Sequence, residues 1–278
     1  MTSLTRRLPL GVAHPTVSDR IRQSGVIVAT VVALAGAVYG SGLLGGRPIP
    51  RVAGGALGPD ATLLAPAGPA FAIWSVIYLG LAGYAIWQAL PSQAARRRQR
   101  AVGYWILASL LLNAAWILAV QAGLLALSVP VIVLLLAVLA VAFVRLRHEP
   151  GGTTADAVLL DGTVGLYLGW VMVATAAGAA AWLQAVGFTG FGIPPELWAM
   201  AVLVALAAVA CALAVWDRGR LTPALASAWG LVWIAVSRVT GGLPSAVVAV
   251  TALAAGILVV MVAVAVRVAR GGAVRRSS

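Results

Sequence analysis

Trp74 and Tyr78 stand four residues apart, Asn113 and Trp116 three apart, and Tyr167 and Trp170 three apart. At these spacings each pair occupies one face of a helix. Indole, phenol and carboxamide groups stack against flat apolar surfaces and offer one or two hydrogen bonds. Converging side chains of this kind would wall a pocket for a planar, largely apolar molecule. A second reading stays open: the rings pack helix against helix, and Asn113 bonds a neighbouring helix.

Residues for other chemistry are poorly placed. Asp19, Asp60, Glu149, Asp156, Asp161, Glu196 and Asp217, all the carboxylates of the chain, fall in tails, loops or predicted helix ends. That leaves no mid-membrane proton relay, no Ser-His-Asp set and no phosphate-cradling glycine loop. His14 and His148 both lie in arginine-rich segments, so no imidazole is placed to hold a haem or a metal within the membrane. Cys211, the single cysteine, sits in a run of Ala, Val and Leu and reads as a small buried hydrophobe. The chain is expected to be non-enzymatic, with no metal and no resident cofactor.

The elements that must position the three pairs are membrane helices. Hydrophobic residues make up 62% of the 278-residue chain and charged residues 9%, far below the roughly 25% charged of a water-soluble domain. Eight apolar stretches succeed one another, at about 25–45, 68–90, 101–122, 128–146, 160–184, 196–216, 221–238 and 245–267. Each is near the roughly 17–25 residues a helix needs to cross the hydrocarbon layer. Only helices satisfy every backbone group within such a segment. The expected fold class is therefore all-α, a polytopic integral membrane bundle. The 24-residue polar leader is too long for a signal peptide, so the first stretch is predicted to be a retained helix.

All nineteen basic residues are arginines, and sixteen of them load every second gap between stretches. Only Arg47, Arg51 and Arg238 fall in the alternate gaps. This is the positive-inside asymmetry. It predicts a multi-pass protein of the plasma membrane with both termini in the cytoplasm. The net charge of +12 is then spread along the inner lipid surface, which makes the lipid bilayer, and not nucleic acid, the expected partner.

Threaded in alternating directions, the helices put Trp74, Tyr78 and Trp116 in outer halves and Tyr167 and Trp170 near mid-membrane. Trp229 and Trp233 lie deep in the seventh stretch, whereas Trp87, Trp105, Trp182, Trp198 and Trp216 fit the two interfacial belts. Residues 46–67, on the outer side, form the longest connection; loops of that length are binding lids or disordered. The fourth stretch carries Pro130 in its expected first turn, and Arg238 at the end of the seventh is expected to snorkel to the outer surface, a wet cavity inside the bundle being the other reading. Gly36-x-x-x-Gly40 and Gly165-x-x-x-Gly169 allow close helix approach, within the chain or in a homodimer.

Around the aromatic positions the sequence resembles the tryptophan-rich sensory protein, or translocator protein (TspO/MBR), family. The second stretch reads Pro66-Ala-Gly-Pro-Ala-Phe71-Ala-Ile-Trp74-Ser-Val-Ile-Tyr78. The third has Asn113-Ala-Ala-Trp116, and the fifth Tyr167-Leu-Gly-Trp170-Val-Met-Val-Ala174-Thr175 followed by Trp182. These are similar to the family's Pro-rich lead into Trp-x-x-x-Tyr, its Asn-x-x-Trp and its Tyr-x-x-Trp-Val-x-Phe-Ala-Thr, in the same order. The chain departs at Leu166, Val173 and Gly178, where the family has Pro, Phe and Asn. Residues 46–67 contain no aromatic residue, where the family carries a loop tryptophan.

The resemblance implies a five-helix core over residues 25–185, leaving a three-helix extension over 186–268 between cytoplasmic tails 1–24 and 269–278. It implies ligand-lining roles for Phe71, Trp74, Tyr78, Asn113, Trp116, Tyr167 and Trp170. The ligand it implies is a planar hydrophobic molecule such as a porphyrin, bound or translocated with a sensory or regulatory outcome. Two other functions stay open: a secondary transporter of another small solute, and a structural or partner-binding membrane subunit.

Overall fold

The first helix starts earlier than its apolar run because Thr16 and Asp19 cap it. The Thr16 hydroxyl accepts from the Asp19 N–H while the Asp19 carboxylate accepts from the Thr16 N–H, satisfying two helix-end donors reciprocally. Helix α1 therefore spans Val17–Ser41 and begins inside the stretch read as a tail. The computed structural model describes residues 14–276 apart from Leu44; the outer parts of both expected tails, 1–13 and 277–278, lie outside the described residues.

Seven further long helices follow. α2 is Ile73–Ala89, approached through a 3₁₀ turn at Gly68–Ala72. α3 is Arg97–Gln121 and α4 is Leu125–His148. α5, Thr163–Ala185, is approached through a π-helical turn at Asp156–Gly162. α6 is Pro195–Trp216, α7 Leu221–Thr240 and α8 Ala246–Arg276. Every predicted stretch is a helix, and the described residues contain no strand. Because α4 starts at Leu125, Pro130 sits in its second turn and not the first.

Seven of the eight are long and apolar enough to cross a membrane; α7 is the exception. It is wedged between α5 and α8, so its Ser227, Ser237 and Arg238 are buried in protein instead of facing lipid. The chain is a multi-pass membrane bundle.

Helices α1 to α5 close into a ring: α1 touches α2 and α3, α3 touches α4, α4 touches α5, and α5 returns to α2. α7 docks on α5 from outside the ring, and α6 and α8 pack around α7. Small residues set these contacts. Gly36 and Gly40 face Ala114 and Ile117 of α3, and Gly165 and Gly169 face Thr222, Pro223 and Ala226 of α7. Both glycine motifs are thus used in packing within the chain. At Gly169 an added methyl would lie 2.2 Å from the Pro223 carbonyl oxygen, so only glycine permits this approach.

The end bearing the arginines is drawn shut by charge. Cations in the first turn of α3 oppose the helix dipole, and carboxylates from neighbouring segments compensate them. Arg100 pairs with Asp19 at 2.7 Å, Arg96 with Asp156 at 3.0 Å and Arg97 with Glu149 at 3.1 Å. Buried Arg98 pairs with Asp156 and Asp161, and Arg220 at the start of α7 also reaches Asp161, at 3.2 Å. Arg96, Arg145 and Arg147 lie over the rings of Trp87, Trp105 and Trp216, so the belt tryptophans of this end carry cations on their faces.

Candidate ligand-binding site

On the arginine-rich side of mid-helix α2 and α5 touch closely: a methyl on Gly80 would stand 2.2 Å from the Thr163 hydroxyl. Toward the other end, which carries the 46–67 loop, the side chains between them are rings. Trp74 stacks on Tyr78 with centroids 5.4 Å apart and meets Tyr167 and Trp170 edge-on at 5.7 and 6.3 Å. Phe71 meets Trp170 edge-on at 5.8 Å. Such pairs contribute about 0.5–1.5 kcal/mol each beyond burial. The Asn113 amide donates to the Tyr78 oxygen at 2.7 Å, and the Tyr167 hydroxyl donates to the Ser109 carbonyl at 3.4 Å.

The seven expected site residues therefore gather at one level, and their rings fill most of the space between α2, α3 and α5. Tyr167, Trp170 and Asn113 are completely buried, and the rings fill that interior by touching one another. Space opens on either side of the ring cluster instead. A groove of about 520 Å³ lies between α1 and α2. One wall is Phe71 of the turn into α2 with Trp74, Ser75 and Tyr78 of α2, its floor Trp116 and Ile117 of α3, and its α1 wall Leu34, Ala37, Val38 and Ser41. Pro48, Ile49 and Pro50 of the loop close its top, and exposed Val38 and Leu43 form its rim. A smaller void of about 40 Å³ lies under the loop against Trp170, Ala174, Ala177 and Gly178 of α5. Ile49, Phe71 and Trp116 border both spaces.

Of the expected residues, Phe71, Trp74, Tyr78, Trp116 and Trp170 line space, whereas Asn113 and Tyr167 stand behind them. Asn113 fixes the Tyr78 ring through its hydrogen bond, and Tyr167 fixes the Trp74 edge. Leu34, Ala37 and Ser41 of α1 escaped the sequence reading. Their only trace was the small-residue run around Gly36 and Gly40, which reads as packing.

Residues 26–265 match the family model described as TSPO-like protein. The chain belongs to this family. No curated protein and no solved structure matches it. The family match runs on through α6, α7 and most of α8, so the helices beyond the ring are part of what this TSPO-like chain shares with its family model.

In this TSPO-like chain α7 holds the loop over the site. Arg238, 1% exposed, donates to the Pro59 carbonyl at 2.6 Å and to the Leu243 carbonyl at 2.9 Å. It does not snorkel to the surface, because its terminal nitrogens meet the Pro59 and Leu243 carbonyls and the Ser237 hydroxyl in place. The Ser237 hydroxyl donates to Pro59 as well, and the Gly242 N–H donates to the Asp60 carboxylate at 2.6 Å. Lower down, the Ala67 N–H donates to the Trp233 carbonyl at 3.0 Å and the Trp229 indole to the Ala70 carbonyl at 2.8 Å. The deep tryptophans of α7 thus bind the backbone leading into α2.

Proposed function

We propose that this TSPO-like protein binds a planar hydrophobic molecule, of tetrapyrrole-like size, in the groove between α1 and α2. The observation that carries the reading is the groove itself: about 520 Å³, with the stacked Trp74–Tyr78 pair as a flat wall. Small-molecule sites commonly have volumes of about 300–1,000 Å³ and mostly apolar linings. The aromatic surface that this chain lacks in its loop is supplied by that wall. With its rim at Val38 and Leu43, the groove receives an apolar ligand from the bilayer between α1 and α2.

The arginine distribution supports a plasma-membrane location with the arginine-rich end and both termini in the cytoplasm. The loop end then faces outward. The role is non-enzymatic, and binding has a sensory or regulatory outcome, or moves the ligand across the bilayer. A secondary transporter usually places broken helices at the midplane; here the irregular turns at Gly68–Ala72 and Asp156–Gly162 lie at helix starts. Titration of the protein in lipid nanodiscs with a metal-free porphyrin tests the reading. Saturable quenching of tryptophan fluorescence is expected, weakened at least tenfold in Trp74→Ala with the helical signal intact. Quenching that never saturates would favour rings that serve packing alone.

A further inference from the structure

One buried cation at the arginine-rich end lacks a counterion of its own. Arg22 of α1 is 1% exposed. Among the described residues the one carboxylate in ion-pair reach of it is Asp19, at 3.8 Å. That carboxylate already accepts from Nε and Nη2 of Arg100 at 2.9 and 2.7 Å, and from the N–H and hydroxyl of Thr16 at 2.9 Å each. The Arg22 Nη2 donates to the Ala94 carbonyl at 2.7 Å, in the segment between α2 and α3. Its Nε and Nη1 have no partner among the described residues. Nη1 lies beside Gly103 of α3, where a methyl would stand 3.2 Å from it. Gln99 precedes Gly103 by one turn on the same face of α3 and is fully buried. Its Oε1 accepts from the Tyr84 hydroxyl at 2.9 Å, and its Nε2 has no partner. Buried polar groups are nearly always paired, so these unpaired nitrogens mark a place where an acceptor belongs.

We infer that the crevice where α1 meets α2 and α3 binds one small monovalent anion, of the size and charge of chloride, held by Arg22 Nε and Nη1 and by Gln99 Nε2. All of these nitrogens are donors only. The unpaired acceptor of the group is Gln88 Oε1, a turn from Tyr84 on α2, on an amide whose nitrogen donates to the Gln23 carbonyl. Donors are thus in excess. A water would bring further donors to the crevice, whereas an anion only accepts. Charge points the same way. Arg22 and Arg100 share Asp19, which leaves a buried positive charge without a full partner, a costly state in low dielectric. A divalent phosphate would exceed that single charge, and a lipid headgroup does not reach a side chain that is 1% exposed. Bound there, the ion ties the start of α1 to α2 and α3. The site lies at the opposite end of the ring from the groove and is independent of it.

The test uses the full chain in phosphatidylcholine nanodiscs, with sodium chloride exchanged for sodium gluconate at constant ionic strength. The melting temperature is expected to rise saturably with chloride, by about 5–10 °C at roughly a hundredfold excess over Kd. Gln99→Glu puts a carboxylate where the ion sits and still accepts from Tyr84, so it should melt equally in chloride and in gluconate. Arg22→Met removes the cation and should also lose the chloride response. Where Arg22→Met fails to fold, Gln99→Glu and the wild-type titration still decide. Crystals of the wild-type chain grown in sodium bromide should show an anomalous peak beside Arg22 and Gln99. Equal melting of the wild-type protein in chloride and gluconate overturns the site. A chloride response that survives Gln99→Glu overturns it as well, and so does a water in place of the bromide peak.

Discussion

Toward the arginine-rich end α2 and α5 meet through Gly80 and Thr163, whereas toward the loop end Phe71, Trp74 and Trp170 stand between them. The first contact is reinforced by buried ion pairs of Arg98 with Asp156 and Asp161. The second is covered by a loop held through hydrogen bonds, most of them to backbone carbonyls, at Pro59, Asp60 and Ala67. Charge and small residues close one end, while bulky rings hold the helices apart at the other. A buried ion pair tolerates little displacement, because each separated charge is left unpaired in low dielectric. Rings and a hydrogen-bonded loop can shift without that cost. The end proposed to accept a ligand is thus the one without an ionic lock.

Breaking the ionic lock should have the largest effect. Arg98→Met leaves the Asp156 and Asp161 carboxylates facing each other with one partner fewer, and a loss of about 3–5 kcal/mol is expected. Thermal unfolding in nanodiscs measures it. Arg238→Met acts at the opposite end and should cost about 1.5–3 kcal/mol, the worth of hydrogen bonds from a charged group. Its signature is local: amide exchange around residues 57–62 accelerates while the amides of α3 stay protected. Equal acceleration at both ends would show that the loop is not separately held.

A glycine pair sharpens the contrast. Gly80→Ala drives a methyl to within 2.2 Å of the Thr163 hydroxyl and should destabilise by about 1–3 kcal/mol. Gly178→Ala at the void meets nothing within 4 Å, so its change should stay within about 0.5 kcal/mol. Similar losses at both sites would refute the asymmetry.

The smallest effect concerns pH. Asp217, in the turn after α6, accepts from the Gly219 and Arg220 N–H groups, and burial pushes it from its ordinary 3.8 up to about 6. Between those values the folded chain holds the proton that the unfolded chain has lost. This group's contribution to stability therefore falls as pH rises through that window and stays low above it. Asp217→Asn should melt higher than wild type at pH 7.5, by about 2–4 °C, and the gap should narrow as pH falls through that window and close near its lower edge. A gap that widens on acidification would reverse the sign.

Much of the fold was legible in the sequence because lipid demands uninterrupted apolar length, and arginine spacing marks one surface. The helix starts were not: Val17 and Arg97 begin their helices among polar residues, one through the Thr16–Asp19 cap and the other through distant carboxylates. Arg238 was misread because nothing near it in sequence reveals that Pro59 would bring it a carbonyl. The three residue pairs, two of them aromatic, were legible from their spacing. Their spacing did not tell which ring faces would meet each other and which would face space. The α1 wall was hidden for a plainer reason, since Leu34, Ala37 and Ser41 are ordinary membrane-helix residues.

Ala37 offers the most direct test, because it lines the groove yet is not part of the ring cluster. A planar apolar fluorophore is titrated into nanodiscs carrying the wild-type chain or Ala37→Trp, whose indole occupies the groove. Wild type should saturate at one molecule per chain, and the variant should bind at least about 100-fold more weakly, the several kcal/mol lost when the indole takes the ligand's place. Undiminished saturable binding by a folded Ala37→Trp protein would place the ligand elsewhere and contradict the site between α1 and α2.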